Sequence, residues 1–155
     1  LVGSVSCGLE TCLDLTAAAL EHARRRLGEK AGAVNWIAGD VTAFQPDRRF
    51  ALWHDRAAFH FLVSRGARQA YRAVMEKSLT RQGQAIIGTF ALDGPAKCSG
   101  LDIVRYDASG LMAELGAGWE LAEETREAHV TPSGVEQQFG FYRVRRKKTR
   151  ENHSG

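Results

Sequence analysis

Residues 9–40 read LETCLDLTAAALEHARRRLGEKAGAVNWIAGD, and this stretch decides the fold. Residues 9–15 make a short apolar strand that carries Asp14 near its end. Thr16 is placed to cap a helix, because its hydroxyl can accept from the open N–H groups of the first turn. The segment AAALEHARRRL is rich in Ala, Leu and Arg and reads as a helix to Leu27. Leu20, Ala23 and Leu27 recur at helical spacing and form its expected buried stripe. Gly28 or Gly32 stops it. Residues 33–38 (AVNWIA) make a second strand, which Gly39-Asp40 ends. A strand, a helix and a strand in this order predict a parallel pair joined by a crossover.

The same alternation continues downstream. Residues 43–49 are a turn-rich connection around Pro46. FALWH at 50–54 is mostly apolar, as expected of a strand covered on both faces. A helix is predicted from about Ala67 to Leu79, with Ala70, Val74 and Ser78 or Leu79 on one face and Tyr71 beside them. Arg81-Gln82-Gly83 breaks the chain, and QAIIGTFA at 84–91 is a fourth strand. A long polar loop, 92–104, precedes a short helix from Ser109 to Leu115. Residues 119–125 and 135–144 flank a Pro132-Ser133-Gly134 turn with no helix between them, so they are predicted to pair antiparallel. The expected class is α/β, with a mostly parallel sheet and a terminal antiparallel hairpin.

Composition bounds the rest. The chain has 155 residues, the size of one domain, and is 44% apolar and 25% charged, which argues against disorder. It has no run of 18 apolar residues, so no membrane span is expected. No signal-peptide pattern opens it, and no internal repeat divides it. The net charge of +3 is unevenly spread. Residues 143–151 (RVRRKKTRE) hold six basic residues and one acidic one, so the remainder is mildly acidic. A single domain is therefore expected over 1–146, with a basic polar tail at 147–155. Such a tail can bind nucleic acid or an anionic surface, or simply be a solvated end; no aromatic residue interleaves with the basic ones after Tyr142, which weakens a single-strand binding reading and leaves nucleic acid an unexpected partner. Cys7, Cys12 and Cys98 form neither a disulfide framework nor a zinc pattern, consistent with a cytoplasmic setting. Cys98 is a candidate thiol in the polar loop.

In open α/β sheets ligands bind at the carboxyl ends of the strands. There this sequence places Asp14, then Asp40, then His54-Asp55-Arg56, then Thr89-Phe90. A strand-end carboxylate can accept two hydrogen bonds from a ribose diol, and charged acceptors make the stronger bonds. A second carboxylate one strand along can accept from the adenine amine, with Leu15 and Val41 sandwiching the base. The alternatives are a helix N-terminal carboxylate for Asp14 and a turn Asp for Asp40. His54 and His60 suit a general base. Asp55 can orient a histidine, and Arg56 and Arg105 can clamp an anionic substrate. Against this, His54 can simply cap a strand, and His60, between Phe59 and Phe61, can be a half-buried structural histidine. Trp36, Trp53 and Trp119 are expected in the core.

The segments LDLTAAALEHARRRLG, VNWIAGDVTAF, ALWHDRAAFHFL and GQAIIGTFALDGPAKCSGLDIVRYD, with the closing hairpin, resemble class I S-adenosylmethionine-dependent methyltransferases. The closest likeness is to small bacterial members of methyltransferase type 12, over roughly residues 8–146. The resemblance implies a Rossmann-like, seven-stranded sheet, S-adenosylmethionine as cofactor and a small-molecule substrate. It also implies that Asp14 holds the cofactor ribose and that Asp40 and Val41 meet adenine. Trp53 and His54 would lie near the methionine part. His54, Asp55 and Arg56 are thus the catalytic candidates, Asp14, Leu15, Asp40, Val41 and Trp53 the cofactor candidates, and His60 and Arg105 the substrate candidates.

The sequence departs from the family at its start. Such enzymes carry Asp-x-Gly-x-Gly after the first strand, about 20 residues before the ribose acid, and residues 1–13 contain no such pattern. The first strand and helix of the family fold are therefore expected to be missing. Three arrangements then present themselves: the chain is a fragment, strands 9–15 and 50–54 pair directly, or residues 1–7 supply a makeshift strand. Unpaired edges would favour self-association. A catalytically inactive relative acting as a binding module is the alternative function. A nicotinamide-dependent oxidoreductase would also use Asp14, but fits the closing hairpin less well.

Overall fold

The computed structural model describes residues 2–4 (as backbone), 10–56, 58–131 and 134–148. Cys7, the Pro132-Ser133 pair and the tail beyond Lys148 lie outside the described residues. Among these residues, nine strands and three α-helices follow in chain order: β1 (Val2–Ser4), β2 (Glu10–Asp14), α1 (Ala17–Leu27), β3 (Val34–Ala38), β4 (Phe50–Arg56), α2 (Arg65–Ser78), β5 (Leu79–Phe90), β6 (Lys97–Cys98), β7 (Leu101–Asp102), α3 (Ala108–Leu115), β8 (Trp119–Val130) and β9 (Glu136–Arg146). Seven of the strands form one sheet in the order β3-β2-β1-β4-β5-β9-β8, and β6 with β7 makes a small hairpin.

Local chemistry explains most element ends. Thr16 caps α1 by accepting from the Ala19 N–H at 3.3 Å, as expected. Ser64 caps α2 through Ala67 N–H, and Asp107 caps α3 through Gly110 N–H. Gly116 ends α3 at φ 84°, a left-handed conformation in which a side chain is strained. The expected break at residues 81–83 is instead a bulge within β5: Leu79 pairs with Phe50, but Gln84 already pairs with Leu52. The α1 stripe is shorter than its periodicity predicts. Leu20 is buried, whereas Leu27, in the last turn before a 3-10 segment, is exposed.

The crossovers set the layers. From β2 the chain steps outward to β3, and from β4 it steps the opposite way to β5, both in parallel. Right-handed crossovers running in opposite directions put α1 and α2 on opposite faces. The burial agrees. Leu13, Trp53, Ala85, Ile87, Tyr142 and Val144 form one core with Tyr71, Val74 and Met75 of α2 and Leu111 and Leu115 of α3, while Leu20 of α1 lies outside that cluster. Trp119 joins the same core, and its Nε1–H donates to Glu76.

The sheet is less parallel than expected. Among the described residues, parallel pairing is confined to β2–β3 and β4–β5. Val2–Ser4 lies between β2 and β4, antiparallel to both, as the makeshift strand of the third arrangement would, so β2 and β4 do not pair directly. The inner edges of β2 and β4, expected to be open, are thus paired over the length of β1, and the outer strands are β3 and β8. The closing hairpin is antiparallel as predicted, but longer at both strands. It also absorbs part of the basic run. Arg143 pairs with Glu123 at 2.8 Å, Arg145 pairs with Glu120 at 2.6 Å, and Arg146 lies over the Trp119 ring. No helix among the described residues is long and apolar enough to cross a membrane.

Candidate functional site

The opposed crossovers leave a topological switch point between β2 and β4, and the crevice at the carboxyl ends there is where such sheets take ligands. Asp14 and Asp40 stand beside it at neighbouring strand termini. Asp14 closes β2 opposite Ala38, the last residue of β3. The Gly39 N–H donates to the Asp14 carbonyl at 2.9 Å and ties the two ends together.

Both carboxylates are held by the same local device. Oδ1 of Asp14 accepts from the Thr16 N–H at 2.9 Å and from its hydroxyl at 3.2 Å. Oδ1 of Asp40 accepts from the Thr42 N–H and hydroxyl, both at 2.8 Å. The signal is a repeated Asp-apolar-Thr, Asp14-Leu15-Thr16 and Asp40-Val41-Thr42, which the strand-end reading overlooked. It fixes each carboxylate through one oxygen, and Oδ2 of Asp40 has no hydrogen-bond partner among the described residues. Leu15 is 73% exposed beside Asp14, whereas Val41 is buried against the core. Val41 is therefore available to a ligand only at its edge.

The His54-Asp55-Arg56 triplet does not converge. Successive strand residues point to opposite faces, so Asp55 turns inward with Trp53 while His54 and Arg56 face the other side. Asp55 is fully buried. Its carboxylate accepts from the Ala58 N–H (2.7 Å), the Phe59 N–H (3.0 Å) and the Tyr71 hydroxyl (2.6 Å). Asp55, expected to orient a histidine or to act alone, has neither His54 nor His60 among its hydrogen-bond partners in the described residues; it fastens the turn that leaves β4. Burial raises its pKa, and the Tyr71 hydrogen bond works against that rise. Trp53, expected both in the core and near a cofactor, is spent on the core. It is 2% exposed, and its only polar atom donates to Tyr71 Oη at 2.8 Å. Tyr71, which sequence reasoning placed only beside a helix face, is thus the hub of a Trp53–Tyr71–Asp55 chain. His54 is half-buried, and burial lowers its pKa.

His60 sits in the 3-10 turn Phe59–Phe61 just beyond β4 and is fully buried. Its ring lies 4.4 Å from Phe61 and 4.9 Å from Phe90, centroid to centroid. Burial pulls its pKa down to about 4, so the ring is neutral at physiological pH. Arg105 is exposed, and one guanidinium nitrogen donates to the Gly94 carbonyl across the loop base. Cys98 lies half-buried in β6. A separate cavity of about 300 Å³ opens beyond β5, among Leu92, Asp93, Tyr106, Asp107, Glu124 and Arg126. No three His, Cys, Asp or Glu side chains cluster as a metal site among the described residues.

No family model matches the sequence, and no curated protein sequence matches it. Solved structures do match the fold. The N-methyltransferase NodS from Bradyrhizobium japonicum superposes with a TM-score of 0.65 at 18% identity, over 87% of this chain and 72% of NodS. The glycopeptide N-methyltransferase MtfA, solved with S-adenosyl-L-methionine, gives 0.63 at 16% identity, over 89% of this chain and 72% of MtfA. An S-adenosylmethionine-dependent methyltransferase from Clostridium acetobutylicum gives 0.65 at 11% identity, over 89% of this chain and 75% of that protein. At these identities the likeness is one of fold: the chain has the α/β fold that these methyltransferases share, and it spans about three quarters of their length.

Proposed function

We propose that this chain is a class I methyltransferase-like domain that binds S-adenosylmethionine and transfers its methyl group to a small molecule. The observation that carries the reading is the pair Asp14 and Asp40, each fixed by its own threonine at adjoining strand ends beside the switch point. The donor set fits an adenosine. Asp14 would hold the ribose, Asp40 would accept from the adenine amine through its unpartnered Oδ2, and exposed Leu15 would cover the base. When bound, the sulfonium supplies an electrophilic methyl for in-line displacement by the acceptor's lone pair. The chain's own part is orientation. Strands are spaced about 5 Å apart, so the crevice from β3 across β1 to β4 is long enough for an extended ligand. Asp55, through Ala58 and Phe59, holds the exit turn of β4 at its far end. His54 and Arg56, on the other face of β4, and Arg105 remain candidates for contact with the acceptor.

A second reading is a catalytically inactive relative that serves as a binding module. One observation favours it: the centre of the sheet is a three-residue strand that runs antiparallel to both its neighbours. Calorimetry separates the two. Asp40→Ala removes a charged acceptor and is expected to weaken S-adenosylmethionine binding about tenfold or more. Wild-type chain that gives no heat at millimolar ligand supports the inactive relative.

A further inference from the structure

The amino ends of β4 and β5 form the rim opposite the crevice, and three segments far apart in sequence bring positive charge to it. Arg49 immediately precedes β4, and its guanidinium donates to the Leu79 carbonyl at 3.3 Å. Phe50 pairs with Leu79, so Lys77, in the last turn of α2, and Arg81, in the β5 bulge, flank the same point. β9 runs antiparallel to β5 with Arg145 opposite Gln84, which carries Lys147 and Lys148 past that bulge. Arg49, Lys77, Arg81, Lys147 and Lys148 are all exposed. None of them is in an ion pair among the described residues, although Arg143 and Arg145, just before them in β9, are both paired. The acids of these segments are already engaged: Asp47 by Arg48, Glu76 by Arg72 and Glu120 by Arg145. Lys77 donates to a neutral partner, Gln45. Like charges gathered on one rim repel one another, and an anionic partner relieves that repulsion.

We propose that this rim is a sequence-independent docking surface for the phosphate backbone of a nucleic-acid duplex. The large apolar residues nearest the five cations, Phe50 and Leu79, are buried. The patch therefore has no apolar side chain to insert into lipid and no apolar or aromatic centre of the kind a protein interface is built around. It has no aromatic platform on which single-stranded bases could stack. A duplex backbone asks only for cations, and the arginine fork matches phosphate. The basic run at 143–151 read alone points elsewhere, because Arg49, Lys77 and Arg81 come from other parts of the chain while Arg143 and Arg145 are neutralised by β8. The surface lies at the other end of the strands from Asp14 and Asp40, so the proposal holds whether or not the chain binds S-adenosylmethionine.

The test is fluorescence anisotropy of a labelled DNA duplex of about 20 base pairs, titrated with the full chain from about 20 to about 200 mM NaCl. Saturable binding is expected at the low end, with log affinity falling against log salt at a slope between about −4 and −5 for five phosphate contacts. Arg81→Gln, whose side chain has no hydrogen bond or ion pair among the described residues, should melt as the wild type does and flatten the slope by about one. Adding Lys147→Gln and Lys148→Gln should flatten it by about three in all. Arg65→Gln removes the same charge at the opposite end of α2 and should leave the slope unchanged. No binding at low salt, an equal flattening by Arg65→Gln, tighter binding to the single strand than to the duplex, or binding to phosphatidylserine vesicles but not to the duplex each overturns the proposal.

Discussion

Two residues show how burial turns a side chain into a measurable quantity. The His60 ring is pushed to a pKa of about 4 by burial alone. In the unfolded chain it titrates near 6.5, so between these values the unfolded state binds more protons than the folded one. Stability from this group is complete above pH 6.5 and drains away as the pH falls toward about 4. Urea unfolding across that window should show this acid slope in the wild type and a shallower one in His60→Phe. Tyr71 makes the second case. Removing its hydroxyl in Tyr71→Phe leaves the Trp53 N–H without an acceptor and takes one donor from Asp55. A loss of about 2–3 kcal/mol is expected in the same assay. The places of Asp14 and Asp40 at strand ends were legible in sequence because the helix after one strand and the Gly39 turn after the other mark where each strand stops; the threonine two residues on, which fixes each carboxylate, is just as local a signal but was passed over. The side to which Asp55 points was not, because it depends on where in β4 the alternation starts.

Among the elements, the closing hairpin carries its charge as a ladder. The acids of β8 face the arginines of β9, and the run that reads as a basic tail is partly neutralised within the sheet. These side chains are largely solvated, so each pair contributes little. Glu120→Gln should cost under about 1 kcal/mol in thermal unfolding, and 1 M NaCl should erase the difference from wild type. The same acids, Glu120, Glu123, Glu124 and Glu127, line an outer strand of the sheet, where charge discourages edge-to-edge pairing. Within the sheet, Gly88 has a structural reason: a Cβ there would come within 2.7 Å of the Phe141 ring packed across it. The hairpin could be read ahead of the structure from its turn residues and alternation. Its full length could not, because charged residues on a solvated edge look like loop in sequence.

At the scale of the whole molecule, the order of strands matters more than any one of them. Two crossovers that run in opposite directions create the crevice; strand–helix alternation in the sequence predicted crossovers but not their opposite directions. The three-residue strand at the centre was legible only as one of three alternatives. It runs antiparallel to both β2 and β4. The account stands on the adjoining ends of β2 and β3 as a nucleoside grip. Amide spectra of the labelled chain, followed while S-adenosylhomocysteine is added, test that directly. Saturable shifts concentrated at Asp14, Leu15, Asp40 and Val41 are the predicted result. Shifts confined to the cavity beyond β5, or none at millimolar ligand, would contradict it.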